Sequence, residues 1–234
     1  MRELKVYKKT VSIVNETAIG MYENVVGNKT GFLLESYDKN YDRYTFFGAQ
    51  PEEIITSEKN SLVITKDDGT KEIRKGNPLE LLKEYYSDFN IIKDNEELSF
   101  SGGLVGNLGY DFVRYAEKLP DNNPDEIGIE TIQLMLMTKF LLVDHVAETL
   151  TAIILEKNDT EGEKRAYELA DELIQKARRT PKEVERKPLI HDGKIVKQSD
   201  SLSEYSRKVE KIKEYIKEGH IFQTVLSQRW TVET

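Results

Sequence analysis

The side chains best placed to do chemistry lie in two apolar runs near opposite ends of the chain. In the first, Leu33-Leu34-Glu35-Ser36 closes the segment 31–37 (GFLLESY). Strand alternation puts Leu34 and Ser36 on one face, Leu33 and Glu35 on the other. A hydroxyl ending an apolar strand can orient a small ligand's polar head while leucines line its apolar body. An ordinary strand running into a turn is the plainer reading of the same residues. In the second run, Ile221 to Trp230 reads as a buried strand with Gln223, Val225 and Ser227 on one face. A buried amide costs stability unless both its ends are satisfied, so Gln223 is either a structural bridge or part of a polar site.

Other chemistry-bearing residues form weaker patterns. Gly102, Gly103, Gly106 and Gly109 match neither a P-loop nor a dinucleotide fingerprint, and close backbone approach in a packed sheet explains them better. His145, His191 and His220 fall in a turn, a linker and a helix end, without metal-ligand or triad spacing. The chain has no cysteine, which removes disulfides, thiolate metal sites and thiol nucleophiles. Its 34 basic against 42 acidic residues leave a net charge of −8, so neither nucleic acid nor an anionic membrane is the expected partner. No signal peptide and no long apolar span are visible, and the high Lys, Glu and Tyr content fits a cytoplasmic protein.

These residues must be positioned by mixed strands and helices. Asn15 is the candidate cap of a short helix with Ile19, Tyr22 and Val26 on one face, ended by Gly27. Strands are expected at 31–37, 43–48 and 53–57, then a hairpin of 62–66 and 71–74 around Asp67-Asp68-Gly69-Thr70. Asn77-Pro78 opens a helix whose buried face is Leu79, Leu82 and Tyr86. The run 98–108 is followed by a helical turn from Tyr110, and residues 131–143 and 150–156 read as two long strands. Thr160 to Glu163 forms a capping box for a helix carrying Ala166, Tyr167, Ala170, Leu173, Ile174 and Ala177 at helical spacing. Residues 180–199 read as a linker. Ser201 to Glu204 caps another helix, with Tyr205, Val209, Ile212 and Ile216 as its stripe. Irregular mixing of this kind favours an α+β fold with mainly antiparallel sheets over a doubly wound one. No residues follow Thr234 to pair with the strand at 221–232, so the sequence reads as the front part of something larger, with an apolar edge prone to aggregate.

FLLES (32–36), RYTFFG (43–48), GGLVGNLGYDFVR (102–114) and IKEGHIFQTVLSQRW (216–230), in this order, resemble the large subunit of anthranilate synthase, component I. That family turns chorismate and ammonia into anthranilate and pyruvate, a lyase reaction of tryptophan biosynthesis that uses Mg²⁺. A glutamine amidotransferase subunit normally supplies the ammonia. The resemblance implies sheets sandwiched between helices, an N-terminal region over 1–182, a linker over 183–198 and the start of the chorismate-binding domain over 199–234. It assigns Ser36, with Leu34 and Glu35 beside it, to the feedback site for L-tryptophan. It aligns Gln223 with a position where water-using relatives carry a lysine base, and an amide there suits ammonia as nucleophile. His220, Asn107 and Trp230 depart from the family's usual residues. The Mg²⁺-binding glutamates and the general acid/base groups are expected beyond Thr234, so the 234 residues are expected to be inactive alone. Two other readings stand beside this one: the related 4-amino-4-deoxychorismate synthase, disfavoured by Val225-Leu226-Ser227, and a non-catalytic tryptophan-binding module.

Overall fold

The Asp67–Thr70 turn behaves as its residues require. Gly69 takes a φ of 82°, and the turn joins β5 (Ser61–Lys66) to β6 (Lys71–Lys75) as an antiparallel hairpin. The computed structural model describes residues 1–35, 43–93, 98, 100–120, 125–180 and 193–233. The chain divides into two units, Met1–Lys182 and Glu183–Thr234.

Two sheets form the centre of the first unit. One has six strands in the order β2 (Gly31–Glu35), β3 (Tyr44–Ala49), β10 (Lys139–Asp144), β11 (Thr149–Glu156), β1 (Arg2–Ser12), β7 (Phe89–Ile92). The other has five, in the order β6, β5, β4 (Glu53–Ser57), β9 (Ile132–Met137), β8 (Gly103–Leu108). Every pairing is antiparallel except that of β1 with β7.

Period-2 alternation gives each sheet two covered faces. Tyr7, Phe47, Leu141, Val143, Ala152 and Ile154 pack against α1 (Ala18–Val25) and α3 (Thr160–Ala177). Their strand neighbours Val6, Phe46, Phe140, Leu142 and Ile153 turn the other way and meet Val105 and Met137 of the five-stranded sheet. That sheet's outer face, with Ile55, Leu62, Ile64, Leu134 and Leu136, is closed by Tyr85 of α2 (Pro78–Ser87) and by Phe112 and Tyr115 of a short 3-10 helix (Tyr110–Tyr115). The result is helix, sheet, sheet, helix: an α+β sandwich with three layers of core.

Several local expectations need correction. Residues 131–143 are not one strand. They break at Thr138, where β9 of one sheet hands over to β10 of the other. The inter-sheet core takes odd positions before the break (Met135, Met137) and even ones after it (Phe140, Leu142), so the pleat changes phase there. The β1 strand, which the charged pattern RELKVYKKTVS hides, is paired on both sides. Thr17, not Asn15, caps α1, and its buried residues are Ala18, Met21 and Val25; of the expected stripe Val26 is buried, Tyr22 is half-buried and Ile19 is exposed. In α2 the buried ring is Tyr85, while Tyr86 is exposed. Asp159 accepts the amide of Gly162 and so displaces Thr160 as the cap of α3.

In the second unit the Ser201 capping box forms as expected and starts α4 (Leu202–Lys217). Its stripe is only half-buried at Tyr205, Val209 and Ile212, and Ile216 is exposed. Part of the segment read as linker is strand β12 (Lys194–Gln198), paired antiparallel with β13 (Trp230–Glu233). The strand expected over 221–232 shrinks to β13, and residues 221–229 are irregular.

Candidate functional site

At the outer edge of the six-stranded sheet, β2 pairs Leu34 with Phe46 and Glu35 with Thr45. Phe32 enters the inter-sheet core and Leu33 packs on the helix side, so Leu34 and Glu35 leave on opposite faces, as alternation requires. Leu34 is 47% exposed and Glu35 is exposed. Ser36 lies outside the described residues.

The face under Leu34 is aromatic. Phe46 meets Tyr44, Phe100 and Phe140 at ring-centroid separations of 6.1, 6.0 and 6.5 Å, and Phe100 meets Phe140 at 4.9 Å. The rings hold one another in edge or tilted geometries that favour a fixed wall. Such a wall next to an exposed leucine suits the flat, apolar body of an aromatic ligand.

Beside it stands a rigid polar end. The Arg43 guanidinium forks onto Asp144, Nε donating at 3.1 and 3.0 Å and Nη2 at 2.8 Å. Asp144 also accepts the amides of Val146 and Ala147, both at 3.0 Å. The Arg43 contact, with those amides, holds the Asp144 carboxyl below its ordinary range. Thr45 Oγ1 lies 2.7 Å from His145 Nε2, giving that histidine a structural role. Sequence reasoning missed the Arg43–Asp144 pair. Its signal was an Arg opening one apolar strand run and an Asp closing another.

Gln223 is exposed in the irregular segment of the second unit, so the buried-amide argument does not apply to it. His220 sits past the end of α4, with Nε2 3.2 Å from Glu218; His191 lies outside the described residues. The glycines do structural work. A Cβ on Gly106 (φ 156°) would stand 2.1 Å from the Gln133 carbonyl oxygen, and one on Gly102 2.5 Å from the Leu155 side chain. Among the described residues no three His, Asp or Glu side chains converge as metal ligands, so these residues do not fit a Mg²⁺ site. No helix among the described residues is long and apolar enough to cross a membrane.

A second network lies away from β2. Glu53, 3% exposed, accepts from Arg2 Nη2 at 2.7 Å and from the Tyr85 hydroxyl at 2.6 Å. Burial first, then the Glu53 contact, pushes the Tyr85 phenol well above its ordinary value. This tie joins the first strand to the five-stranded sheet and to α2.

A model of the chorismate binding enzyme family matches residues 30–234, spanning both units. Component 1 of anthranilate synthase from Acetivibrio thermocellus is 31% identical over 230 residues, covering 94% of this chain and 46% of that protein. The Bacillus caldotenax component 1 is likewise 31% identical, with 99% and 48% covered. The crystal structure of anthranilate synthase component I from Streptococcus pneumoniae TIGR4 superposes with a TM-score of 0.60 at 25% identity, over 93% of this chain and 47% of that one. The chain thus spans about half the length of the relatives it matches.

Proposed function

Since the chain belongs to the chorismate binding enzyme family, we propose that it supplies the N-terminal part of an anthranilate synthase component I. In this reading it carries the tryptophan feedback site on its edge strand and depends on further polypeptide for turnover of chorismate. The observation behind the reading is the match to component 1 proteins across 94% of the chain but 46% of theirs.

The geometry around β2 supports the regulatory half. Leu34 projects beside the Tyr44 and Phe46 rings, where an indole could stack against apolar surface. Glu35 leaves on the opposite face, so it acts on the strand or on a neighbouring segment rather than on the indole. Ser36 is the residue we assign to the ligand's charged head. Gln223 is assigned to the ammonia side of the reaction centre. An exposed position becomes catalytic only once other polypeptide encloses it and excludes water. Mg²⁺, which the family uses, would be held by residues other than those described. Ammonia would come from a glutamine amidotransferase subunit.

The test is a chimera in which this chain replaces the matched part of the Acetivibrio thermocellus component 1. With chorismate, ammonium and Mg²⁺ it should produce fluorescent anthranilate, inhibited by L-tryptophan; Ser36→Ala and Leu34→Ala should relieve that inhibition with turnover retained. The isolated chain should produce none. A folded chimera without turnover would sink the enzymatic reading, and saturable L-tryptophan binding by the isolated chain would favour a binding module.

A further inference from the structure

Four cations meet at one corner of the first unit, and none of them forms an ion pair with a carboxylate among the described residues: Lys29, Lys139, Lys176 and Arg179. They come from three places in the chain: the approach to β2, the start of β10 and the end of α3. The sheet register pairs Leu141 with Phe47 and Gly31 with Ala49, so the start of β10, the end of β3 and the start of β2 form one row. Lys139 opens β10 with the parity of Leu141, on the face that α3 covers. Lys29 stands just before β2, its Nζ donating to Gln50 Oε1 at 3.2 Å. The last turn of α3 adds Lys176, whose Nζ donates to the Val25 carbonyl at 2.8 Å. Arg179 follows, held by Asn24 Nδ2, which donates to the carbonyls of Ala177 and Arg179 at 2.9 and 2.6 Å.

The simplest account is that these cations serve the carboxyl ends of α1 and α3. The arithmetic leaves a surplus. Each helix end offers about half a negative charge, so two offset roughly one of the four. The remainder persists in a chain whose net charge is −8; of the carboxylates lining the cleft that Lys139 and Gln50 share, Glu52 pairs with Arg2 and Glu156 with Arg165. Burial first, then contact with Lys29 and the charges of Arg179 and Lys139, holds the Lys176 amine below its ordinary value. Gln50, which meets Lys29, has a φ of 57°, a conformation that costs a non-glycine residue energy and persists where surrounding structure imposes it.

We propose that this corner is a binding site for a multiply charged oxyanion, of which inorganic phosphate is the simplest member. Compact ammonium groups hold phosphate as point charges, and an anion bridging Lys29 and Lys176 turns their repulsion into two charge-assisted hydrogen bonds. The bound anion would also clamp the α1 and α3 ends to the start of β2.

Phosphate is titrated into the full chain at fixed ionic strength, chloride serving as the counter-titrant, and followed by ³¹P resonance. Saturable binding is expected for the native chain, and binding weaker by about tenfold or more for Lys29→Gln/Lys139→Gln, since each lost contact is of the charge-assisted kind. Lys176 is kept because it holds the Val25 carbonyl. No saturable shift, or a folded double variant that binds like the native chain, overturns the site. A readout independent of any variant is amine acylation mapped by peptide mass spectrometry. Phosphate should slow labelling of Lys29 and Lys176 and leave exposed lysines such as Lys83 unaffected. Equal labelling with and without phosphate overturns the proposal as well.

Discussion

The two units make opposite use of similar material. In Met1–Lys182 the strands alternate apolar residues onto faces that another layer covers, and Phe47, Phe140, Leu141 and Ile153 are fully buried. In the described part of Glu183–Thr234 no residue is buried at all, although Phe222, Val225, Trp230 and Val232 are as apolar as anything in the first unit. The difference is partnership rather than composition. A two-stranded sheet with one helix has too little surface to cover both faces, and such a hairpin is marginal in water. The first unit therefore holds the molecule's cooperative stability, and the second is the piece with affinity for a cover.

That contrast makes the size of a mutational effect depend on location. Phe140→Ala removes a ring packed against Phe32, Phe46 and Phe100, and should cost about 3–5 kcal/mol in urea denaturation. A loss below about 1 kcal/mol would mean the inter-sheet core is loose, and the contrast between units would weaken.

The buried tie of the first unit comes next. Tyr85→Phe keeps the ring in place and deletes only the donor to Glu53, leaving one oxygen of a buried carboxylate short of a partner. The expected cost is about 1–3 kcal/mol. Glu53→Gln/Tyr85→Phe should lose less than the two single changes added together, because the residues share one network; strict additivity would show that the hydrogen bond contributes nothing.

How far the chain could be read before seeing it folded follows the same division. The β5–β6 hairpin, the Asn77 cap of α2 and the Ser201 capping box were legible because each is set by a few adjacent residues whose backbone needs are local. The break at Thr138 was not, since residues 131–143 are apolar throughout and only the layer beneath each side chain reveals that the phase has changed. Strand β1 was hidden by its lysines, which are half-buried there because each finds a place on the sheet surface, Lys9 Nζ on Asp171 and Lys5 Nζ over the Tyr7 ring. At the candidate site, parity correctly separated Leu34 from Glu35. The setting of Gln223 was not legible: an apolar run suggests a buried strand, but burial needs a partner that the local sequence does not contain, and the residue is exposed in an irregular segment.

Acid should expose a smaller difference. The Glu16 carboxyl is lowered from 4.5 to about 2, first by the Val14 amide, with Arg178 also contributing. A depressed carboxyl stabilises the fold above its unfolded value and loses that contribution as pH falls through the folded value. Asp144, held down chiefly by Arg43, acts in the same direction. Stability of the first unit should therefore decline between about pH 4.5 and 2, and Glu16→Gln should flatten part of that decline. A variant with an unchanged acid profile would remove Glu16 from the account.

The smallest effect sharpens the comparison most. Phe222 is fully exposed, so Phe222→Ala removes no packing and should move the main circular-dichroism transition by no more than about 0.5 kcal/mol. The chain's single tryptophan, Trp230, is 56% exposed in β13, which makes its emission a private probe of the second unit. With little burial to lose, that emission should begin near its water-exposed wavelength and drift at low urea, before the sheets of the first unit unfold. Probes that disagree in this way mark structure that does not melt as one. If the indole signal and the sheet signal instead shared one midpoint and one slope, the second unit would be gaining its stability from the first, and the division drawn between them would fail.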